Sequence, residues 1–173
     1  MSAAAPPLLA VGLSLGLIAV AQADRAPWFI WNASESVPVG LYALHPSQMP
    51  SLGDLAAVRM STMLTAWVVE RGYVGADVLL LKRTAAVSGM TVCRKGLAIS
   101  IDGAVIAQAA VTDRHGRALP RWFGCVTLTS DQVFLLNAGV ADSLDGRYFG
   151  PLQIDSVIGS AVPIWISEGA SDA

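Results

Sequence analysis

Short apolar runs, each bounded by glycine, proline or charged residues, follow one another along most of the chain. This pattern is typical of strands joined by tight turns, so it predicts a mainly β domain with a partly closed sheet or barrel. The predicted strands cover residues 55–59, 77–83, 97–101, 104–106, 132–136 and 158–166. Asp102-Gly103 favours a two-residue hairpin turn between two of them. One helix is predicted over residues 61–69.

The N-terminal segment is the most apolar part of the chain, and no side chain from Ser2 to Ala23 is charged. A helix needs about 20 apolar residues to cross a bilayer core, and residues 3–23 just meet that length. Two interpretations remain open: a signal peptide cleaved after Ala23, or an uncleaved membrane anchor. We therefore divide the chain into an apolar signal or anchor helix at 1–23 and an exported domain at 24–173.

The composition excludes several classes of protein. Of the 173 residues, 54% are hydrophobic and only 14% are charged, which excludes a disordered tail and a coiled coil. A net charge of −2 provides no basic excess to neutralise phosphates, so we expect no nucleic-acid partner. Neither a C-x-x-C nor an H-x-x-x-H spacing occurs, so we expect no metal site. Nothing in the sequence implies a cofactor.

The chain has two cysteines, Cys93 and Cys125. In an oxidising compartment they would form a disulfide. Closing a loop of this length is worth about 4 kcal/mol in the chain-entropy model. Two buried free thiols are the alternative, and the sequence leaves both interpretations open.

Ser34 and Ser36 are the first residues that suggest chemistry, because they lie two positions apart just before Pro38-x-Gly40. Residues two apart in an extended segment point to the same side, so both hydroxyls would face one site. Pro38 disfavours a helix before it, and Gly40 permits a sharp turn. A serine is a poor nucleophile unless a base takes its proton, so without a nearby base this stretch is an ordinary polar loop.

Lys82 is the candidate base. His45 and His115 lie in polar, turn-like sequences, so we expect both at the surface. Lys82 ends an apolar run in which Val78 and Leu80 share its side of a strand. Burial on such a surface lowers the pKa of a lysine and yields a neutral amine near neutral pH. The alternative is a lysine at a strand end that keeps its charge in water.

A third polar stretch carries Ser143, Asp145 and Arg147 at alternate positions of a loop. The Ser143 hydroxyl could orient a lysine amine by a hydrogen bond. Asp145 and Arg147 could form a bidentate ion pair that fixes the loop. The alternative is an ordinary Asp-Gly turn with a solvated ion pair.

Taken together and in this order, these stretches resemble the sequence boxes of the Ser/Lys signal peptidases, and in particular their conjugative-transfer (TraF-type) branch. The matching stretches are residues 32–42, 53–55, 80–83 with 87–92, 143–151 and 158–165. General signal peptidases carry Met after the serine, where this chain has Val37, and Gly-Asp-Asn where it has Asn137-Ala138-Gly139. Both departures favour the conjugative branch.

The resemblance implies a serine endopeptidase with the family's mainly β fold and with Ser36 as the nucleophile. Neutral Lys82 would be the general base. The other matched side chains receive supporting roles: Ser34, with the Ser36 N–H, as the oxyanion hole, Ser143 as the group that orients the amine, and Asp145 with Arg147 as the structural support of the loop.

The implied activity is cleavage of a signal, leader or C-terminal segment from a conjugative prepilin in support of plasmid transfer. In this branch the pilin's own terminal amine can resolve the acyl-enzyme and give a cyclic product. The implied partners are a prepilin or other exported precursor polypeptide and the cytoplasmic membrane. The peptidase domain at 24–173 would lie at the periplasmic face of that membrane, or in the periplasm if residues 1–23 are removed. A general type I signal peptidase and a non-catalytic pilus-assembly protein are the alternatives.

Overall fold

The computed structural model describes residues 26–167. Over this range the protein is mainly β, which confirms that part of the predicted fold class. The helix predicted at 1–23 lies outside the described residues and stays a prediction. Within 26–167, none of the helices has the length and apolar character needed to span a bilayer.

Seven strands form the larger sheet, and every neighbouring pair in it is antiparallel. In spatial order they are β1 (Phe29–Asn32), β2 (Gly40–His45), β11 (Val157–Ile166), β3 (Leu55–Val58), β4 (Leu80–Ala86), β9 (Gln132–Leu135) and β10 (Leu152–Gln153). Strands β1 and β10 lie at the two edges of this sheet. The final strand, β11, lies between β2 and β3 and thereby joins the hairpin β1–β2 to the pair β3–β4.

Four strands form the smaller antiparallel sheet. Their spatial order is β7 (Ala104–Gln108), β6 (Ala98–Ile101), β5 (Thr91–Lys95) and β8 (Gly124–Thr127). Asp102 (φ 47°) and Gly103 (φ 87°) both have positive φ, as a type I′ turn requires, so the predicted hairpin is confirmed. Cys93 and Cys125 lie opposite each other in β5 and β8 and form a disulfide with an S–S distance of 2.00 Å. Of the two interpretations, the disulfide is therefore the one that the fold adopts.

Residues 26–167 also contain two short α-helices. Helix α1 (Thr62–Glu70) agrees with the predicted helix to within a residue, and the Ser61 hydroxyl accepts a hydrogen bond from the backbone N–H of Leu64 (3.4 Å). Helix α2 (Gly146–Phe149) is a single turn that begins directly after Asp145. A 3₁₀ turn at Ile154–Ser156 leads into β11.

Apolar side chains cover both faces of the larger sheet around β3. Leu55 and Ala57 belong to a core cluster with residues of β1 and β2, whereas Ala56 and Val58 belong to a cluster with residues of β9. Successive side chains of a strand alternate between the two faces, so both faces of β3 are buried. Its neighbour β4 is buried at Leu81, Lys82, Thr84 and Ala86 and exposed at Arg83.

The strand predicted at 77–83 is displaced. Strand β4 begins at Leu80 and continues to Ala86. It starts later than predicted because residues 75–78 form a turn, in which the backbone N–H of Val78 donates to the carbonyl oxygen of Gly75 (3.4 Å). The sequence pattern also did not predict five strands: β1, β2, β5, β8 and β10. Strand β8 is mostly exposed and lacks an alternating apolar face; it is held by the disulfide and by pairing with β5.

Candidate active site

Ser36 lies in the turn between β1 and β2, which we call the nucleophile turn (residues 33–39). Asn32, the last residue of β1, holds this turn from inside. Its Nδ2 donates to the carbonyl oxygens of Ser34 (2.7 Å), Val37 (3.0 Å) and Pro38 (3.1 Å). A buried amide with three carbonyl partners leaves the turn few other conformations, so the position of the Ser36 hydroxyl is well defined.

Gly40 directly follows the nucleophile turn, and a glycine is needed there for a different reason from the one predicted. We predicted that it permits a sharp turn, but it is the first residue of β2. A Cβ built at Gly40 would collide with the carbonyl oxygen of Trp165 in β11. Glycine is therefore required because two backbones approach closely there.

Lys82 extends from β4 to the nucleophile turn, and only 5% of its surface is exposed. Its Nζ lies 3.0 Å from Ser36 Oγ and 2.9 Å from Ser143 Oγ. In the sequence Ser36 lies 46 residues and Ser143 lies 61 residues from Lys82, yet both hydroxyls contact its amine. Between the two interpretations of Lys82, the structure favours the buried amine over the solvated strand end.

The environment of Lys82 disfavours its charge. Burial lowers the pKa of Lys82 from 10.5 to about 8, and the Asp145 carboxylate opposes this shift only in part. Apolar side chains, including Leu80, Leu135 and Leu144, line a small pocket beside the lysine. A substantial fraction of the amine is therefore neutral slightly above neutral pH, as a general base requires.

Ser34 lies beside the candidate nucleophile. Its Oγ is 3.1 Å from Ser36 Oγ, and it donates to Asn32 Oδ1 at 2.9 Å. The hydroxyl is thus held within reach of any group bound at Ser36 Oγ. The proton of this hydroxyl is engaged by Asn32.

Ser143 belongs to the loop after β9, which we call the Ser143 loop (residues 137–145). Asp145 and Arg147 fix this loop through a bidentate ion pair, with Nε–Oδ1 at 3.0 Å and Nη2–Oδ2 at 2.9 Å. Both side chains are almost fully buried. The same guanidinium donates to the carbonyl oxygens of Asn137 (3.0 Å) and Ala141 (3.3 Å) within the loop. The pairing predicted for Asp145 and Arg147 is present, and it is buried rather than solvated.

Strand β5 of the smaller sheet and the segment before β8 contact helix α2, which directly follows the Ser143 loop. The Arg94 guanidinium of β5, of which only 1% is exposed, donates to the carbonyl oxygen of Arg147. Trp122 Nε1 donates to the carbonyl oxygen of Gly146 at 2.9 Å. Both sheets therefore contribute to the position of the loop that carries Ser143.

The family profile described as "Signal peptidase, peptidase S26" matches residues 3–166 of this chain. The chain belongs to the signal peptidase S26 family. This assignment agrees with the resemblance inferred from the sequence boxes.

Relatives within this family are conjugal transfer proteins. A probable conjugal transfer protein TraF of Sinorhizobium fredii is 32% identical over 169 residues, which cover 90% of this chain and 87% of the relative. A plasmid transfer protein TraF of Escherichia coli is 30% identical over 139 residues, which cover 73% of this chain and 78% of the relative. A signal peptidase I of Enterococcus faecalis has a solved structure that matches with a TM-score of 0.37 and 19% identity, covering 65% of this chain and 97% of that one.

For this signal peptidase family member, residues 26–167 contain no group of three His, Cys, Asp or Glu side chains that could hold a metal ion. Both histidines, His45 and His115, are exposed, as predicted. Sequence reasoning assigned no role to Asn32 or Asn137, yet each makes several hydrogen bonds at the site. The only local signal for either was a polar residue directly at the end of an apolar strand.

Proposed function

We propose that this chain is a serine endopeptidase of the signal peptidase type that processes a precursor polypeptide during conjugation. The observation that carries the proposal is the buried amine of Lys82, within hydrogen-bond distance of both Ser36 Oγ and Ser143 Oγ. A nucleophile, a base of suitable pKa and a group that orients the base are the minimum set for serine-based acyl transfer.

The first step is attack of Ser36 Oγ on the scissile carbonyl carbon while neutral Lys82 takes the hydroxyl proton. The Ser36 N–H and the Ser34 hydroxyl stabilise the oxyanion that forms, for which Ser34 turns its proton from Asn32 to the oxyanion. The tetrahedral intermediate then breaks its C–N bond, and protonated Lys82 gives its proton to the leaving amine. The product is an ester between Ser36 Oγ and the acyl half of the substrate.

The second step resolves this ester. A water molecule, or the amine at the terminus of the pilin, attacks the ester carbonyl while Lys82 takes its proton. Collapse of the second intermediate returns that proton to Ser36 Oγ. Water gives a linear product with a new carboxylate, and the amine gives a cyclic peptide. Ser143 keeps the Lys82 amine directed at Ser36 through both steps.

An extended substrate strand can bind along β4. Over Leu80–Lys82, β4 pairs with β3 on one side, whereas β9 pairs only with the later residues Thr84 and Ala86. Within the described part of the chain, the second side of β4 at Leu80–Lys82 carries no strand. Addition of a peptide strand at such an edge would bring its carbonyl groups past Ser36.

We further propose that the site lies close to the periplasmic face of the cytoplasmic membrane. Trp28, Phe29, Trp31 and Trp165 form an aromatic surface at the β1 side of the larger sheet, and each is more than half exposed. The Trp31 and Trp165 rings stack with centroids 5.9 Å apart. Tryptophan is favoured at a membrane interface, and the Cys93–Cys125 disulfide suits an oxidising compartment.

Lipid quenching tests the membrane contact. In vesicles that contain brominated lipid and the full chain, quenching of tryptophan fluorescence is expected to fall when Trp31→Phe and Trp165→Phe are combined. Equal quenching in the wild-type protein and in this double variant would contradict a membrane contact at the aromatic surface.

Two substitutions test the catalytic assignment. Ser36→Ala and Lys82→Ala are each expected to slow maturation of the co-encoded pilin precursor by about 10⁴-fold or more, because each removes a group that acts in the chemical step. Ser88→Ala and Lys95→Ala change the same residue types at exposed positions and should leave maturation unchanged. Maturation by both site variants would favour a non-catalytic assembly protein. Equal cleavage of an unrelated exported precursor would favour a general signal peptidase.

A further inference from the structure

Asn137 lies at the start of the Ser143 loop, and only 4% of its surface is exposed. Its Nδ2 donates to the carbonyl oxygens of Ser36 (2.7 Å) and Leu81 (3.4 Å). Its Oδ1 accepts from the backbone N–H of Arg83 (3.0 Å). Leu81 and Arg83 flank Lys82, so a single amide group contacts the main chain at both the nucleophile and the base.

The main chain of Asn137 is fixed as firmly as its side chain. Its N–H donates to Asp145 Oδ2 (3.1 Å), and its carbonyl oxygen accepts from Arg147 Nη2 (3.0 Å). The main chain of Asn137 is therefore held by the Asp145–Arg147 ion pair, which also supports the Ser143 loop. Asn137 links the segment of Ser36, the segment of Lys82 and the loop of Ser143.

Val37 of the nucleophile turn and Leu81 of β4 pack in the same core cluster, but backbone hydrogen bonds do not set the distance between the turn and β4. The turn belongs to the hairpin β1–β2, and β4 is connected to that hairpin only through β11 and β3. Within residues 26–167, no backbone hydrogen bond joins residues 33–39 directly to β4. The bond between Ser36 and Lys82 cannot maintain this distance alone, because its proton moves during the reaction. The hydrogen bonds of the Asn137 side chain involve no ionisable group and persist in either protonation state.

We propose that Asn137 is a positioning residue, which fixes the Ser36 main chain relative to Lys82 and so keeps Oγ within proton-transfer distance of Nζ. The inference rests on the proposed peptidase function. A displacement of about 1 Å between reacting groups lowers a rate by about 10²-fold, so loss of this link should affect the chemical step strongly.

Two variants separate positioning from simple packing. Asn137→Ala removes the amide, whereas Asn137→Leu keeps a similar branched shape but lacks every hydrogen-bonding group of the amide. Both are expected to lower kcat for a pilin-derived peptide by about 10²-fold. Ile99→Val, a change in the core of the smaller sheet, controls for general destabilisation and should leave kcat unchanged. Wild-type kcat in Asn137→Leu would overturn the proposal, because a packing role needs only volume.

A crystal structure of Asn137→Ala tests the geometry without any assay of cleavage. The distance from Ser36 Oγ to Lys82 Nζ, which is 3.0 Å in the wild-type protein, is expected to lengthen beyond the hydrogen-bond range of about 3.2 Å. An unchanged distance would overturn the proposal even if the protein cleaves peptides. A lengthened distance in a protein whose wild-type form cleaves nothing would support the positioning role and would count against the peptidase function alone.

Discussion

Replacing Lys82 with Met removes a buried amine whose charge is unfavourable in the folded protein, and this makes the effect on stability depend on pH. Burial lowers the pKa of Lys82 to about 8, from 10.5 in the absence of burial. Between these two values the unfolded chain binds more protons than the folded chain does. The free energy of unfolding of the wild-type protein therefore rises as pH increases through this range.

The expected magnitude follows from the size of the shift. Each unit of difference in pKa corresponds to about 1.4 kcal/mol. Raising the pH from about 7 to about 9.5 crosses about 1.5 units of the range above pH 8, so Lys82 contributes an increase of about 2 kcal/mol. Lys82→Met lacks the titrating group and should lack this increase, even though other groups titrate equally in both proteins.

Urea unfolding of both proteins at the two pH values measures this difference. The quantity of interest is the increase in the free energy of unfolding of the wild-type protein minus the increase for Lys82→Met. Lys95→Met, at an exposed position, serves as the control and should behave like the wild-type protein. Equal pH dependence in the wild-type protein and in Lys82→Met would refute the reasoning, since it would mean that the amine keeps its ordinary pKa on folding.

Three further results are expected from the same geometry. The value of kcat/KM for a pilin-derived peptide should rise about tenfold per pH unit below about pH 8 and then level off, because only neutral Lys82 accepts a proton; a profile that is flat across this range would be inconsistent with that role. Asp145→Ala leaves the buried guanidinium of Arg147 without its carboxylate and should cost about 3–5 kcal/mol in urea unfolding, so a loss below about 1 kcal/mol would argue against a buried pair. Cys93→Ser combined with Cys125→Ser should lower the free energy of unfolding by about 2–4 kcal/mol, and a double variant as stable as the oxidised protein would contradict a stabilising disulfide.

Local patterns in the sequence were enough to predict some elements. The Asp102-Gly103 hairpin and helix α1 were predicted because their signals, a turn dipeptide and a run bounded by Ser61, lie within a few residues. Strand β8 was not predicted, because it has no alternating apolar face and is held by β5 and by a disulfide between residues 32 positions apart.

The residues of the candidate site, too, could be predicted from the sequence only in part. Ser36, Lys82 and Ser143 could be proposed from the resemblance to a family, but the local apolar run left open whether Lys82 is buried or solvated. Its burial depends on side chains such as Leu135 and Leu144, more than fifty positions away. Asn137 could not be assigned at all, because its amide contacts Ser36 across 101 residues of sequence. The chemistry of these residues depends on long-range packing, which a local sequence pattern does not reveal.

The position of β11 has a consequence for when the dyad can form. The serine-bearing hairpin and the lysine-bearing strand pair share no backbone ladder with each other; β11 alone pairs with a strand of each. A nascent or truncated polypeptide that ends before residue 157 therefore holds its nucleophile and its base in two halves of an unfinished sheet. In the proposed peptidase, Ser36 and Lys82 would therefore come together only after β11, the last strand within residues 26–167, has been synthesised.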